Sequence, residues 1–270
     1  MVITLKSNKH ILIFDSGVGG LSIYKEIKFI LPNLTCTYIF DNEAYPYGEL
    51  TQNVVIKRVT SYVSSFIKAY PIDLVVIACN TASTVVLPVL REKLSIPCVG
   101  VVPAIKPASI LTNRIIGLIG TLSTVNCQYT KNLVNNFAKK NTVKMLGSTR
   151  LVNVVEEKIR GKKVNINELA EILMPLIGNI DVLVLGCTHF LLIKEEIQLV
   201  FGDKVILVDS GKAIAKRVRE LLGISKDLEF KKDRKDLIYC STRPWKQDIL
   251  NDVLHDIGFC SVRIRLLQCV

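Results

Sequence analysis

The sequence contains itself twice. Moved forward by 108 positions, Asp73-Leu-Val-Val-Ile-Ala-Cys79 falls on Asp181-Val-Leu-Val-Leu-Gly-Cys187, and the apolar runs CVGVV and ILVDS that follow then coincide. A shift of 105 lays LIFDSG on GLIGTL and matches Asp15-Ser16 to Gly120-Thr121. A chain duplicated in this way folds as two similar halves, and a loop that matters in one half has a counterpart in the other.

Short β-branched runs alternate with longer amphipathic stretches. HILIF precedes residues 18–30, CTYIF precedes 52–68, DLVVIAC precedes 82–94 and PCVGVV precedes 104–111. The pattern restarts at IIGLIG and goes on through DVLVLGC, KVILVD and KDLIYCS. Runs that are apolar on both faces belong to parallel strands covered by helices. The expected class is α/β, with two pseudo-symmetric domains, each around a mainly parallel sheet, and an active site in the cleft between them.

Composition narrows the function. The longest apolar runs are strand-sized, and the N-terminus places Lys6 and Lys9 before HILIF with no long apolar region or small-residue cleavage site. A cytoplasmic protein with no membrane partner is expected. Eight cysteines in 270 residues, none in CxxC spacing, suit neither a disulfide scaffold nor a zinc knuckle. Cys36, Cys98, Cys127, Cys240, Cys260 and Cys269 read as small apolar residues in or near the core. The net charge of +11 is concentrated in residues 105–165, where eleven lysines and arginines face two glutamates. That segment could attract anions, but it lacks the interleaved aromatics of single-strand binders, so nucleic acid is not the expected partner.

In open parallel sheets the residues just past the strand ends line the ligand crevice. Asp15-Ser16, Cys79-Asn80-Thr81, Gly120-Thr121 and Cys187-Thr188-His189 all fall there. A cysteine can serve as nucleophile, metal ligand, disulfide partner or general acid/base. Two cysteines on mirrored loops suit the inversion of a stereocentre, in which one group removes a proton from one face of a carbon and the other delivers a proton to the opposite face. An ordinary thiol, with a pKa of ~8.5, is only a few per cent ionised at neutral pH, so each needs neighbours that tune it. Asp15 and His189 are the titratable candidates. Ser16, Asn80, Thr81, Thr121 and Thr188 offer polar groups to anchor a substrate. DSGVGG resembles a dinucleotide fingerprint, but Ser22 stands where the third glycine belongs. Its glycines still let backbone N–H groups approach a small carboxylate.

With those residues in view, the chain resembles the bacterial glutamate racemases of the aspartate/glutamate racemase superfamily. The likeness runs through FDSGVGGLS, FDNEAYPYGE, ACNTAS, IPCVGVVPAIKPA, IGLIGT, LGCTHF and the C-terminal STRPWKQDILNDVLHDIG. It implies a first domain formed by residues 1–101 and 211–270, carrying Cys79, and a second formed by 102–210, carrying Cys187. It also implies cofactor-independent racemization of glutamate, with no metal, for peptidoglycan synthesis. Cys79 would act as base toward D-glutamate and Cys187 toward L-glutamate, with Asp15, His189 and Glu156 assisting. Ser16, Asn80, Thr81, Thr121 and Thr188 would hold the α-amino and α-carboxylate groups, and the backbone of Pro46-Tyr47-Gly48 the side-chain carboxylate. Members are often homodimers, which is the assembly expected here. Two features depart from the family pattern. Ser148, Thr149 and Asn153 replace its Cys-Pro and Val-Pro steps, which leaves Glu157 as an alternative to Glu156 for the assisting acid, and Phe190-Leu191 replaces a Tyr-Pro. Aspartate or hydantoin racemization would use the same thiols. A thiol-redox or nucleic-acid-binding protein is the alternative of another class.

Overall fold

A computed structural model describes residues 9–224 and 235–266; Cys269 lies outside the described residues. Strands β1 (His10–Asp15), β2 (Thr35–Phe40), β3 (Leu74–Ile77) and β4 (Cys98–Gly100) are linked by helices α1 (Leu21–Ile30), α2 (Gln52–Ala69) and α3 (Asn80–Lys93). Helix α4 (Ile105–Leu111) leads into β5 (Ile115–Gly120), α5 (Leu122–Asn126), α6 (Gln128–Phe137), β6 (Thr142–Gly147), α7 (Thr149–Ile159) and α8 (Ile166–Leu173). There follow β7 (Val182–Leu185), α9 (Lys194–Phe201) and β8 (Ile206–Val208), after which α10 (Gly211–Leu221), β9 (Leu237–Cys240), α11 (Gln247–Asp256) and β10 (Arg263–Ile264) return to the first sheet.

Among the described residues the strands form two parallel sheets, ordered β10-β9-β2-β1-β3-β4 and β6-β5-β7-β8. Without β9 and β10 the two orders are the same. Ile11 faces Leu74 across β1 and β3, and Ile116 faces Val182 across β5 and β7, so the shifts of 105 and 108 reproduce the register as well as the sequence. The expected α/β class with two sheets is what the chain forms. Strand β6 was not legible as a strand: it is an edge strand, half exposed, and carries Lys144 among its apolar residues.

Alternation along β1 shows why both faces are apolar. Ile11 and Ile13 join the core under α1, α10 and α11, whereas Leu12 and Phe14 join the core under α2 and α3. All four are fully buried, and each such side chain contributes about 1.5–3 kcal/mol relative to exposure. The second sheet repeats this: Leu183 and Leu185 pack with α7, α8 and α9, and Val182 and Val184 with α4. The C-terminal segment completes the first half, because β9 covers the β2 edge and Ala215, Val218, Leu250 and Leu254 close the core on the α1 side.

Cys36, Cys98 and Cys240 lie in the core, and Cys127 and Cys260 are partly buried. The basic segment is partly neutralised: Arg150, Lys158, Arg160 and Lys162 are all paired with glutamates. No helix among the described residues is long and apolar enough to cross a membrane.

Candidate active site

A crevice opens beyond the carboxyl ends of parallel strands where successive connections diverge to opposite sides. In the first sheet that point lies between β1 and β3, whose ends carry Asp15-Ser16 and Cys79. In the second it lies between β5 and β7, whose ends carry Gly120-Thr121 and Cys187. The two crevices meet. Thr188 Oγ1 donates to Asp15 Oδ2 at 3.3 Å, Thr81 and Thr121 share a hydroxyl contact of 2.9 Å, and Ser22 Oγ donates to the Thr188 carbonyl at 3.0 Å.

On the first side, Cys79 caps α3, its sulfur accepting from Ala82 N at 3.4 Å and from Ser16 Oγ at 3.6 Å. It is 7% exposed. Burial, reinforced by the charge of Asp15, pushes its thiol up to about 12. Asp15 is fully buried and accepts from Ser16 N at 2.5 Å and Gly17 N at 3.2 Å. Burial nevertheless raises its carboxyl above the usual range, with the charge of His189 opposing.

On the second side, Cys187 is 6% exposed, with its sulfur 3.7 Å from His189 Nδ1. His189 Nε2 donates to Glu156 Oε1 at 3.0 Å, and Val18 N donates to the same oxygen at 2.8 Å. The other carboxylate oxygen pairs with Arg160. Burial works against both charges, but hydrogen bonds and counter-charges outweigh it. Cys187 and Glu156 hold His189 well above its ordinary value, while His189, Arg160 and Val18 N hold Glu156 below its own. The result is an ionised imidazolium–carboxylate pair behind one thiol.

The remaining sequence candidates converge on the same place. Thr81, Thr121 and Thr124 form a triangle of hydroxyls within 3.2 Å of one another. Asn80 Oδ1 is buried with no hydrogen-bond partner, an acceptor free for a ligand N–H. Gly48 packs on Thr121, where a Cβ would come within 2.8 Å of the threonine Cβ, which brings the Pro46-Tyr47-Gly48 turn to the cleft. The Tyr47 ring points elsewhere: its hydroxyl donates to Asp41 at 2.7 Å in the core. Glu156 and Glu157 part company, since Glu157 faces outward to Arg150 and Lys162, whose hydrogen bonds lower it to about 2. The DSGVGG loop does hold a carboxylate, through Val18 N, and that carboxylate is Glu156. Gly19 is needed there because a Cβ would fall on the His189 imidazole. Among the described residues no group of three or more His, Cys, Asp or Glu side chains is arranged to hold a metal.

Sequence reasoning missed Arg160, Thr124 and the Tyr45–Asn153 hydrogen bond of 2.7 Å that ties the halves together. The first two had a signal. Arg160 lies four residues after Glu156, one helical turn, and Thr124 lies three after the α5 cap Thr121.

The sequence profile of the Asp/Glu/Hydantoin racemase family matches residues 19–218. A Vibrio cholerae protein named glutamate racemase is 59% identical over 253 residues, spanning 94% of this chain and 95% of that relative. The chain belongs to the Asp/Glu/hydantoin racemase family. It is an amino-acid racemase, an isomerase, and its fold agrees with solved members. Escherichia coli glutamate racemase, solved with L-glutamate and the activator UDP-MurNAc-ala, superimposes with a TM-score of 0.90 at 42% identity, covering 97% of this chain and all of the other. Glutamate racemase from Francisella tularensis, solved with D-glutamate, gives 0.78 at 26% identity over 97% of this chain and 98% of that one. A racemase must exchange a proton on each of two faces of one carbon, and this one brings a thiol to the cleft from each half.

Proposed function

We propose that this racemase interconverts L- and D-glutamate by proton transfer between Cys79 and Cys187, without cofactor or metal, and supplies D-glutamate for peptidoglycan in the cytoplasm. The substrate is supported by the Escherichia coli and Francisella tularensis relatives, solved with one enantiomer each. The mechanism rests on one observation: two thiols at equivalent strand ends have unlike surroundings. Cys79 is held as a thiol, and Cys187 faces an imidazolium.

From L-glutamate, ionised Cys187 takes the α-proton and becomes a thiol, while the Cys79 thiol gives its proton to the opposite face and becomes the thiolate. From D-glutamate the roles exchange. His189, backed by Glu156, supplies positive charge beside Cys187 when its sulfur is ionised. Asp15 assists at Cys79. Ser16, Asn80, Thr81, Thr121 and Thr188 hold the α-amino and α-carboxylate groups, and the backbone of Pro46-Tyr47-Gly48 holds the side-chain carboxylate. Residues 1–101 with 211–270, and residues 102–210, act as the two domains that enclose the substrate. Each positioned acid or base contributes ~10²- to 10⁴-fold.

Circular dichroism of L- and D-glutamate, and of both aspartate enantiomers, tests this under reducing conditions with no added cofactor. Glutamate ellipticity decaying to zero from either enantiomer is the expected result. Decay of aspartate alone would refute the substrate, and no decay by folded protein would refute the reaction.

A further inference from the structure

Arg160 ends helix α7 and is fully buried. A buried guanidinium relies on partners to replace its lost hydration, and Arg160 finds them through Nη1 and Nε while Nη2 has no hydrogen-bond partner. Here Nη1 pairs with the Glu156 carboxylate and donates to the Glu156 carbonyl at 2.9 Å. Nε donates to the Trp245 carbonyl at 3.1 Å, and the Trp245 ring centroid lies 4.8 Å from the guanidinium carbon. Trp245 stands between β9 and α11, in the C-terminal segment that completes the first half. Beyond Glu156 the line continues through His189 Nε2 at 3.0 Å to Cys187, 3.7 Å from Nδ1. Trp245, Arg160, Glu156, His189 and Cys187 thus form one connected line, whereas Cys79 is contacted by the Ser16 hydroxyl, which also reaches Asp15.

We propose that Arg160, locked by Trp245, is a positioning residue that keeps Glu156 ionised and aimed at His189, so that the imidazolium persists beside Cys187. The proposal rests on the two-thiol reading above. Removing the guanidinium deprives a buried carboxylate of a counter-charge, so that it takes up a proton and releases His189 Nε2. The defect then falls chiefly on the Cys187 proton transfer, because His189 touches Cys187 directly and acts on the Cys79 side only through its charge on Asp15.

Enantiomers have equal free energy, so kcat/KM stays equal in the two directions in any variant, and a one-sided defect must be read from which transfer limits the rate. The experiment compares primary isotope effects on kcat/KM with 2-deuterated L-glutamate and 2-deuterated D-glutamate, for the wild type, Arg160→Met, Arg160→Lys and Trp245→Leu. For Arg160→Met, kcat/KM should fall ~10- to 100-fold in both directions, a part of what a positioned acid/base supplies. The isotope effect should rise to its full value from L-glutamate, whose deuteron Cys187 removes, and fall toward unity from D-glutamate. Arg160→Lys should move both effects back toward wild type, and the half-exposed Trp245→Leu should show the same asymmetry more weakly. If Arg160→Met does not fold, the other two variants carry the test. Slower turnover with both isotope effects unchanged would reduce Arg160 to a structural residue and overturn the proposal. A wild type that does not turn over glutamate would overturn the racemization reading itself, a result distinguishable from failure of Arg160 alone.

Discussion

Aligning the two halves by their shifts pairs Cys79 with Cys187, Asn80 with Thr188, Thr81 with His189 and Asp15 with Gly120. The strands, their register and the two cysteines repeat, but the titratable residues that flank those cysteines do not. The first half places its acid at the end of β1, where the second has glycine. The second half places its base two residues past the cysteine, where the first has threonine. Duplication therefore supplies position, and divergence supplies charge. Two equivalent sulfurs thus have unlike neighbours, one beside a buried carboxyl and the other beside an imidazolium, which is the difference the proposed acid–base pair would use.

The largest test of this comparison removes either sulfur. Cys79→Ala and Cys187→Ala should each lower the racemization rate by about 10⁴-fold, since inversion needs both. A variant retaining a tenth of wild-type activity would break the equivalence. The next removes the charge specific to one half. His189→Asn and Glu156→Gln should each lower kcat ~10²-fold. Burial and the negative charge of Asp15 together hold the Cys79 thiol up at about 12, so Asp15→Asn should bring it down toward the ordinary thiol range and increase its thiolate fraction. Alkylation of Cys79 by iodoacetamide at mildly alkaline pH should then be faster than in the wild type. A slower reaction would contradict the assigned role of that charge.

The smallest effect is on stability. Glu156 lies below its ordinary 4.5 in the fold, so its contribution is complete above that value and is lost as pH falls through the folded pKa. His189 lies above its ordinary 6.5, so its contribution is complete below that value and is lost as pH rises through the folded pKa. His189→Asn should therefore depress Tm most between these ordinary values, 4.5 and 6.5, by the equivalent of about 1.5–3 kcal/mol, and less at alkaline pH. A Tm difference independent of pH would show that His189 is not charged in the fold.

Much of this was legible in the sequence because parallel strands buried on both faces are continuous apolar runs, and because a register repeat survives as a spacing. Asp15, Cys79, Cys187 and His189 could be placed at strand ends for that reason. Strand β6 could not be read, since an exposed edge relaxes the demand for apolar residues. The choice between Glu156 and Glu157 also needed the fold. Adjacent helical residues face different directions, and only the packing of α7 against the DSGVGG loop shows which one turns inward. Arg160 looked like one more cation in a basic segment until burial separated it from the others.

The central claim, one thiol for each face, is tested most directly by incubating each cysteine variant with each glutamate enantiomer in deuterated water and following the α-proton by NMR. Cys187→Ala retains Cys79 and should wash deuterium into D-glutamate with no L-glutamate formed, and Cys79→Ala should do the same to L-glutamate alone. Exchange of both enantiomers by either variant, or continued inversion, would contradict the assignment of one sulfur to each face.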